Sequence, residues 1–309
     1  MKIVFLDTKT LGKDISLDEF KNFGEVIIYE TTAHNQTLTR VQDADIVITN
    51  KVVIDSEIMK KSNIKLICVT ATGTNNIDLE YARESGIEVK NVAGYSTNSV
   101  AQLTITLVLT FAEKLDYYRK YVETKQWEKS NLFTHIDVPF FELKDKNWGI
   151  IGLGEIGKKV AKIAENFECN VNYYSTSGKN SNTQYNQISL NELLETSDIV
   201  TIHSPLNDTT YNLINKTNLN LLKDNAILVN VGRGGIINEY DLANIINEGK
   251  KLFCGLDVLE KEPIEENSPL NRVRNKDQLI ITPHIGWGSV ESRKKLINCV
   301  LDNVQKFVV

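Results

Sequence analysis

The 309-residue sequence lacks a long hydrophobic run and an excess of positive charge. Its longest apolar stretch, near residues 103–112, is interrupted by threonines and is too short to span a bilayer. The formal net charge is −5, whereas sequence-independent binding of nucleic acid requires a basic surface. We therefore expect neither a membrane nor a nucleic-acid partner.

Cysteine is also scarce, and the four cysteines are far apart, with no CxxC pair. This spacing favours neither a disulfide framework nor a zinc site, so we expect no metal and four buried thiols in a reducing compartment. The apolar run at residues 2–6 ends at Asp7 and is too short for the core of a secretory signal. We expect a cytoplasmic protein.

Apolar residues make up 41% of the chain and charged residues 24%, as in ordinary globular proteins, and the length suits two domains. In the first third, short apolar runs rich in β-branched residues alternate with helical patterns. Such alternation is typical of a parallel sheet covered on both faces. The predicted strands are IVFL (3–6), VIIY (26–29), DIVIT (45–49), LICVT (66–70) and IEVKNV (87–92).

The same alternation begins again at WGIIGLG (148–154) and predicts a second doubly wound unit. Its further strands are CNVNYY (169–174), DIVTIH (198–203), AILVN (226–230) and LFCGLDV (252–258). Helical patterns at 97–118 and 288–308 frame this unit and are interpreted as connectors. We predict a discontinuous substrate domain, 1–98 plus 285–309, and a dinucleotide-binding domain, 99–284. Residues 119–146 are interpreted as an interface arm.

A glycine-rich turn follows the first strand of the second unit. Gly152, Gly154 and Gly157 match G-x-G-x-x-G, with Glu155 and Ile156 between them, and a helical pattern follows directly. In this context the glycines permit a tight turn, close approach of the backbone to a pyrophosphate, and close packing of helix on strand. The motif predicts a dinucleotide held at the helix N-terminus.

The next strand ends without the acidic residue that usually binds the ribose hydroxyls of NAD. Ser175 stands at that place and is followed by Thr176, Ser177 and Lys179. Hydroxyl groups and a lysine suit a 2′-phosphate, so NADP(H) is expected at least as readily as NAD(H). The alternative is a neutral loop that accepts either cofactor.

Three later segments place Arg233, Glu262 and His284 beyond the ends of strands, where open α/β sheets bind ligands. Arginine offers a carboxylate a planar, permanently charged fork. Histidine is suited to transfer a proton near neutral pH, and a neighbouring carboxylate favours its charged form. Each residue alone is ambiguous, because an arginine or glutamate is often a surface charge and a histidine a satisfied core residue. Together they predict the reduction of a small 2-keto acid.

The chain from about residue 66 onward resembles the D-isomer-specific 2-hydroxyacid dehydrogenase family. The resemblance rests on TGTNNID (72–78), NVAGYSTNSVAQ (91–102), GIIGLGEIG (149–157), SDIVTIHSPLNDTTYNLIN (197–215), VNVGRGGIINE (229–239), LDVLEKEP (256–263) and TPHIGW (282–287). It implies two Rossmann- or flavodoxin-like domains with the active site in the cleft between them, and a homodimer. Two departures are Asp145, where the family often has glycine, and Ser175.

The resemblance also implies roles for individual residues. Arg233, Glu262 and His284 would be the catalytic residues, with Arg233 also binding substrate. Substrate contacts would come from Thr72, Gly73, Thr74 and Trp287, although Trp287 suits a packing role equally well. Besides the glycine turn and the 175–179 segment, the expected cofactor contacts are His203, Pro205, Val231, Gly232 and Asp257.

The motifs NNID, GYSTNSVAQ and HIGW resemble the glycerate dehydrogenase, or hydroxypyruvate reductase, branch of the family. The expected reaction is reversible reduction of hydroxypyruvate or glyoxylate to D-glycerate or glycolate. The alternatives are another D-2-hydroxyacid dehydrogenase, for example one for D-lactate, and a non-catalytic dinucleotide-sensing interaction protein.

Overall fold

The computed structural model describes residues 1–179 and 184–309. The chain forms two compact units. Unit 1 comprises Met1–Ser96 and Trp287–Val309, and unit 2 comprises Thr97–Gly286. The assignment of a substrate domain, 1–98 plus 285–309, and a dinucleotide-binding domain, 99–284, stays a prediction.

In the described residues of unit 1, five parallel strands form a sheet of order β2-β1-β3-β4-β5. Two 3₁₀ helices, Thr8–Leu11 and Asp18–Phe23, lie between its first two strands. The elements are β1 (Lys2–Phe5), β2 (Glu25–Ile28), α1 (His34–Val41), β3 (Ile46–Thr49), α2 (Ser56–Lys60), β4 (Leu66–Val69), α3 (Leu79–Glu84) and β5 (Glu88–Lys90).

The described residues of unit 2 contain a parallel sheet of seven strands in the order β12-β11-β10-β9-β6-β7-β8. Two 3₁₀ helices, Pro269–Arg272 and Lys276–Gln278, precede its last strand. The elements are α4 (Thr97–Ala112), α5 (Leu115–Glu123), β6 (Asn147–Ile151), α6 (Glu155–Asn166), β7 (Asn170–Tyr174), β8 (Asn186–Gln187), α7 (Leu190–Thr196), β9 (Ile199–Ile202), α8 (Lys216–Leu219), β10 (Ala226–Asn230), α9 (Glu239–Asn247), β11 (Leu252–Leu256) and β12 (Leu279–Ile281). The C-terminal helix, α10 (Val290–Val308), packs in the core of unit 1.

Each sheet buries apolar side chains on both faces. Successive side chains of a strand point to opposite sides and so enter different clusters. In β6, Trp148 and Ile150 belong to one apolar cluster and Ile151 to the other. In β1, Ile3 and Phe5 lie in one cluster and Val4 in the other. Continuous apolar strands of this kind occur where helices cover both faces. The predicted α/β class with two parallel sheets is confirmed.

Two backbone details differ from the expectations. The helix predicted over 97–118 is broken, because Lys114 adopts a left-handed φ of 54° between α4 and α5. Asp145, the departure from glycine noted in the sequence, has a φ of 62° just before β6. This conformation favours glycine, and aspartate is among the few other residues that tolerate it. The departure therefore keeps the turn.

Four further short elements of the described chain, α1, β8, α8 and β12, were not predicted. Between α5 and β6, residues 124–146 contain turns and irregular backbone. In the part of the chain that the structure describes, no helix combines the length and the apolar character needed to cross a bilayer.

Candidate active site

The predicted site residues of unit 2 follow the carboxyl ends of neighbouring parallel strands. Gly152 follows β6, His203 follows β9, Arg233 follows β10, and His284 follows β12. Since β12, β11, β10, β9 and β6 are consecutive in the sheet, these loops lie along one edge. The carboxyl edge of an open parallel sheet is the usual place for a ligand.

The glycine turn has the backbone geometry that the motif predicts. Gly152 has a φ of 91°, and a Cβ there would lie 2.8 Å from the backbone nitrogen of Ser204. A Cβ on Gly157 would lie 2.3 Å from the carbonyl oxygen of Gly152, so only glycine lets α6 pack this closely on the turn. At both positions a side chain is excluded because it would clash with neighbouring backbone atoms.

Gly154 differs, because it faces open space. Chain neighbours apart, no atom of the described residues lies within 4 Å of a Cβ built on Gly154. Gly154 caps α6 without a side-chain hydrogen bond. The first backbone N–H groups of α6, those of Glu155, Ile156 and Gly157, have no carbonyl within the helix. Free N–H groups beside open space at the positive end of a helix suit a pyrophosphate, so the turn fits a dinucleotide.

The end of β7 carries hydroxyl groups. Ser175 is buried, and its backbone carbonyl accepts the Gly178 N–H at 3.3 Å, whereas Ser177 and Lys179 are exposed. The Lys179 backbone N–H donates to Ser177 Oγ at 3.2 Å. No carboxylate occurs from Ser175 to Lys179, so this segment does not repel a phosphate.

His203, at the end of β9, has both ring nitrogens buried without a hydrogen-bond partner among the described residues. Burial lowers its pKa to about 3, so the ring is neutral at physiological pH. The Oγ of Ser204 is likewise buried and unpartnered within the described chain. Unsatisfied buried polar atoms are uncommon and mark positions where a ligand or water completes the bonding. Pro205 is exposed beside them.

Asn230 supports the loop that carries Arg233. This buried side chain donates from Nδ2 to the Arg233 carbonyl at 2.8 Å and accepts the Gly232 N–H at 3.0 Å. Val231 is buried in the sheet's apolar cluster. The Arg233 side chain is exposed, and its Nη1 donates to the Gly232 carbonyl at 2.8 Å. The loop thus fixes the base of the arginine and leaves its guanidinium facing solvent.

Glu262 and His284 are in direct contact. Glu262 Oε2 lies 2.7 Å from His284 Nδ1, and the two side chains are 34% and 30% exposed. His284 has a φ of 52°, which is rare outside glycine and recurs at functional sites. The pair is half-buried. Because the carboxylate contacts Nδ1, the opposite ring nitrogen, Nε2, is the one available to a substrate.

Asp257 fixes the segment that contains His284. Its buried carboxylate accepts the backbone N–H groups of Ile285 and Gly286, both at 2.8 Å, and the hydroxyl of Thr282 at 2.6 Å. Three hydrogen bonds within unit 2 occupy this carboxylate. It therefore holds the backbone after His284 and the Thr282 side chain before it, a role that its predicted cofactor contact did not include.

The predicted substrate residues belong to unit 1. Thr72, Gly73 and Thr74 follow β4, and the Thr72 hydroxyl donates to the Val92 carbonyl at 3.0 Å. Trp287 packs against the unit 1 core, with its ring edge-on to Tyr95 at 6.4 Å. This contact suits the packing role, and the predicted substrate contact of Trp287 stays a prediction.

Sequence reasoning missed two supporting residues, Asn230 and Glu239. Asn230 ends an otherwise apolar strand, and that polar residue was the available signal. Glu239 resembles an ordinary charged residue at the start of a helix, yet it is buried. Nothing in the local pattern distinguishes it.

Comparison with known proteins gives a consistent result. Residues 105–286 match the family described as "D-isomer specific 2-hydroxyacid dehydrogenase, NAD binding domain". A hydroxypyruvate reductase of Blautia hydrogenotrophica is 38% identical, covering 100% of this chain and 97% of the relative. A glycerate dehydrogenase of Methylorubrum extorquens is 33% identical over 99% of this chain and 96% of its own. The crystal structure of the TT0316 protein of Thermus thermophilus superposes with a TM-score of 0.87 at 29% identity, covering 99% of this chain and 96% of that chain.

Proposed function

Because the chain belongs to the D-isomer-specific 2-hydroxyacid dehydrogenase family, we propose that it reduces hydroxypyruvate, and also glyoxylate, to D-glycerate and glycolate. The family membership makes it a nicotinamide-dependent oxidoreductase of 2-hydroxy acids, as predicted. The choice of substrate is supported by the relatives named hydroxypyruvate reductase and glycerate dehydrogenase. The observation that carries the proposed chemistry is the 2.7 Å contact between Glu262 and His284 at the sheet edge that bears Arg233.

The dinucleotide is assigned to the turn at Gly152, Gly154 and Gly157. The N–H groups at the start of α6 would bind its pyrophosphate, and the unpartnered polar atoms of His203 and Ser204 would border it. When bound, the reduced nicotinamide supplies the hydride that adds to C2 of the keto acid. Val231, Gly232 and Pro205 remain predicted cofactor contacts.

Arg233 is assigned to the carboxylate of the keto acid. Its guanidinium forms two parallel hydrogen bonds to a carboxylate, which fixes the orientation of the reacting carbon. The bonds that Asn230 makes to the Arg233 carbonyl and the Gly232 N–H hold the loop before substrate arrives. Preorganised donors of this kind stabilise charge without reorganising during the reaction.

His284 is assigned as the general acid in the reductive direction. The carbonyl oxygen becomes negative as C2 is reduced, and His284 Nε2 donates a proton to it. Glu262 holds Nδ1 at 2.7 Å and stabilises the imidazolium before transfer. Asp257 fixes the backbone that follows the histidine. In the oxidative direction, His284 accepts the proton from the hydroxyl.

The two units receive different functions in this proposal. Unit 2, which includes the matched residues 105–286, is assigned as the dinucleotide-binding domain, and unit 1 as the substrate domain. The substrate contacts of Thr72, Gly73, Thr74 and Trp287 stay predictions, because each lies in unit 1 and is described there alone.

We extend the proposal to the choice of cofactor. The 175–179 segment lacks a carboxylate and presents Ser177 and the cation of Lys179 at the surface. We therefore expect NADPH to be used at least as well as NADH. A ratio of kcat/KM for NADPH over NADH well below one would contradict this expectation.

The predicted homodimer remains a proposal, supported by exposed apolar side chains on the predicted arm at residues 119–146. Their members are Trp127, Leu132, Phe133, Ile136 and Phe140, and Phe133 is 91% exposed. Apolar surface of this kind favours a protein interface. Light scattering should give about twice the 34.9 kDa chain mass, and Phe133→Asp should shift it towards the monomer. A monomeric wild type would contradict the dimer.

The cytoplasmic location also stays a prediction.

Initial rates with hydroxypyruvate, glyoxylate and pyruvate, each with NADH and NADPH, test the proposed reaction. We expect the highest kcat/KM with hydroxypyruvate, in line with the relatives named hydroxypyruvate reductase and glycerate dehydrogenase. A preference for pyruvate would indicate a D-lactate dehydrogenase instead. Cofactor binding without turnover of any keto acid would indicate a dinucleotide sensor.

A further inference from the structure

The loop of residues 259–262 carries Glu262 and needs to be held, since the carboxylate must meet His284 Nδ1. Part of the support is local, because the Leu259 N–H donates to Glu262 Oε1 at 2.9 Å. This bond fixes the side chain relative to its own loop. It does not fix the loop relative to the sheet.

Glu239 supplies a contact between this loop and the rest of unit 2. It is the first residue of α9 and is only 9% exposed. Its carboxylate oxygen Oε1 accepts the backbone N–H of Glu260 at 2.7 Å. Glu239 is therefore connected to Glu262 by two hydrogen bonds, from the N–H groups of Glu260 and Leu259, and by the peptide that joins these two residues.

The burial of Glu239 is costly, and helix formation does not require it. Burial, together with the nearby charges of Glu260 and Glu262, raises its pKa, while the N–H bond from Glu260 lowers it. The N-terminus of α9 already has a cap, because Asn238 accepts the Asp241 N–H at 3.0 Å. A buried acceptor here is explained by the loop that it holds.

We propose that Glu239 is a positioning residue for the Glu262–His284 pair. It keeps the 259–262 loop against α9, so that Glu262 Oε2 stays within hydrogen-bond distance of His284 Nδ1. This inference rests on the proposed function, in which that pair performs the proton transfer. Glu239 itself does not contact the reacting atoms.

Two substitutions separate the reach of Glu239 from its charge. Glu239→Gln keeps the oxygen acceptor at the same distance but removes the charge. Glu239→Asp keeps the charge but shortens the side chain by one C–C bond, about 1.5 Å, which places the oxygen beyond hydrogen-bond distance. Aspartate is favourable in the first turn of a helix, so this variant should fold.

The chain offers a matched control on the same helix. Asp241 also accepts a backbone N–H from another element, that of Lys216 at 2.8 Å. Its bonds run to Lys216 and to the helix cap rather than to the 259–262 loop. Asp241→Ala therefore removes a comparable structural hydrogen bond from α9 without releasing the loop, and should leave kcat unchanged.

The test measures kcat and the KM for cofactor in Glu239→Asp, Glu239→Gln, Glu262→Gln and the double variant Glu239→Asp/Glu262→Gln. We expect Glu239→Asp to lower kcat by about 10- to 100-fold, since an error of about 1 Å in a catalytic group costs up to 10². Its KM for cofactor should not change. Glu239→Gln should retain at least about a third of the wild-type kcat, because it keeps the hydrogen bond.

The double variant shows whether Glu239 acts through Glu262. If it does, adding Glu239→Asp to Glu262→Gln should lower kcat no further, because residues that act as a unit are not additive. Additive losses, an unaffected Glu239→Asp, or a Gln variant as poor as Asp would overturn the inference. A Glu262→Gln enzyme with wild-type kcat would overturn both this inference and the proposed acid–base assignment. Loss in Glu262→Gln without loss in Glu239→Asp would reject only the inference.

Discussion

The close contact between Gly234 and the 259–262 loop makes Gly234→Ala an informative substitution. A Cβ on Gly234 would lie 1.8 Å from the carbonyl oxygen of Leu259 and 2.4 Å from the backbone nitrogen of Glu260. Real Cβ atoms are essentially never found closer than 3.0 Å to such atoms. Because both clashing atoms belong to backbone, the whole loop has to recede.

The recession needed is more than 1 Å, and Glu262 moves with the loop. Displacement of a catalytic group by about 1 Å costs about 10²-fold in rate, or about 2.7 kcal/mol of barrier. The overpacking itself should destabilise the fold by about 1 to 3 kcal/mol. We therefore expect a folded enzyme whose kcat falls about 100-fold, while its affinity for the dinucleotide is retained.

The assay is steady-state reduction of hydroxypyruvate at saturating cofactor, with cofactor affinity followed by fluorescence titration. Gly249→Ala is the control, because Gly249 has a φ of 104° and no neighbouring atom among the described residues within 4 Å of an added methyl. It introduces backbone strain into unit 2 without moving the loop. A folded Gly234→Ala enzyme with wild-type kcat would refute the importance of the loop position.

Three further predictions concern other parts of the site. Gly154→Ala should leave stability unchanged but raise the Kd for the dinucleotide about 10- to 100-fold in a fluorescence titration. The reason is that the added methyl enters the open space above the α6 N-terminus. Unchanged affinity would contradict the pyrophosphate assignment. Arg233→Lys should raise the KM for hydroxypyruvate and lower kcat, since a point charge cannot form the bidentate contact; wild-type kinetics would reject it. His203 has a folded-state pKa near 3, below its unfolded value of about 6.5, so its contribution to stability is present above pH 6.5 and is lost as the pH falls. Urea unfolding should show that the free energy of unfolding of the wild type falls by about 2 kcal/mol between pH 7 and pH 5. This fall should disappear in His203→Gln and persist in the control His34→Gln. Equal pH dependence in the wild type and His203→Gln would contradict the buried neutral ring.

The sequence predicts the sheets well because their strands are apolar on both faces. Runs such as AILVN at 226–230 satisfy two cores at once, and β10 has the predicted limits. Short elements such as α1 and β8 carry a weak periodic signal and were not predicted. The break at Lys114 was missed because nothing in a helical pattern marks a lysine for a left-handed conformation.

Only part of the candidate site can be predicted from the sequence. The positions of Arg233, Glu262 and His284 at strand ends can be predicted, because parallel strands bring their carboxyl ends to one edge. The hydrogen bonds that hold these loops cannot be predicted from the sequence. Asp257 bonds to Gly286 and Glu239 to Glu260 across more than 20 residues of sequence, so these partners emerge only when the loops are folded.

The central claim is that His284 transfers the proton during reduction of the keto acid. The most direct test compares hydroxypyruvate-dependent oxidation of NADPH and NADH by the wild type and His284→Ala, with cofactor binding measured in parallel. We predict a kcat lower by about 10² to 10⁴ and unchanged cofactor affinity. Near-normal turnover in His284→Ala would contradict the account.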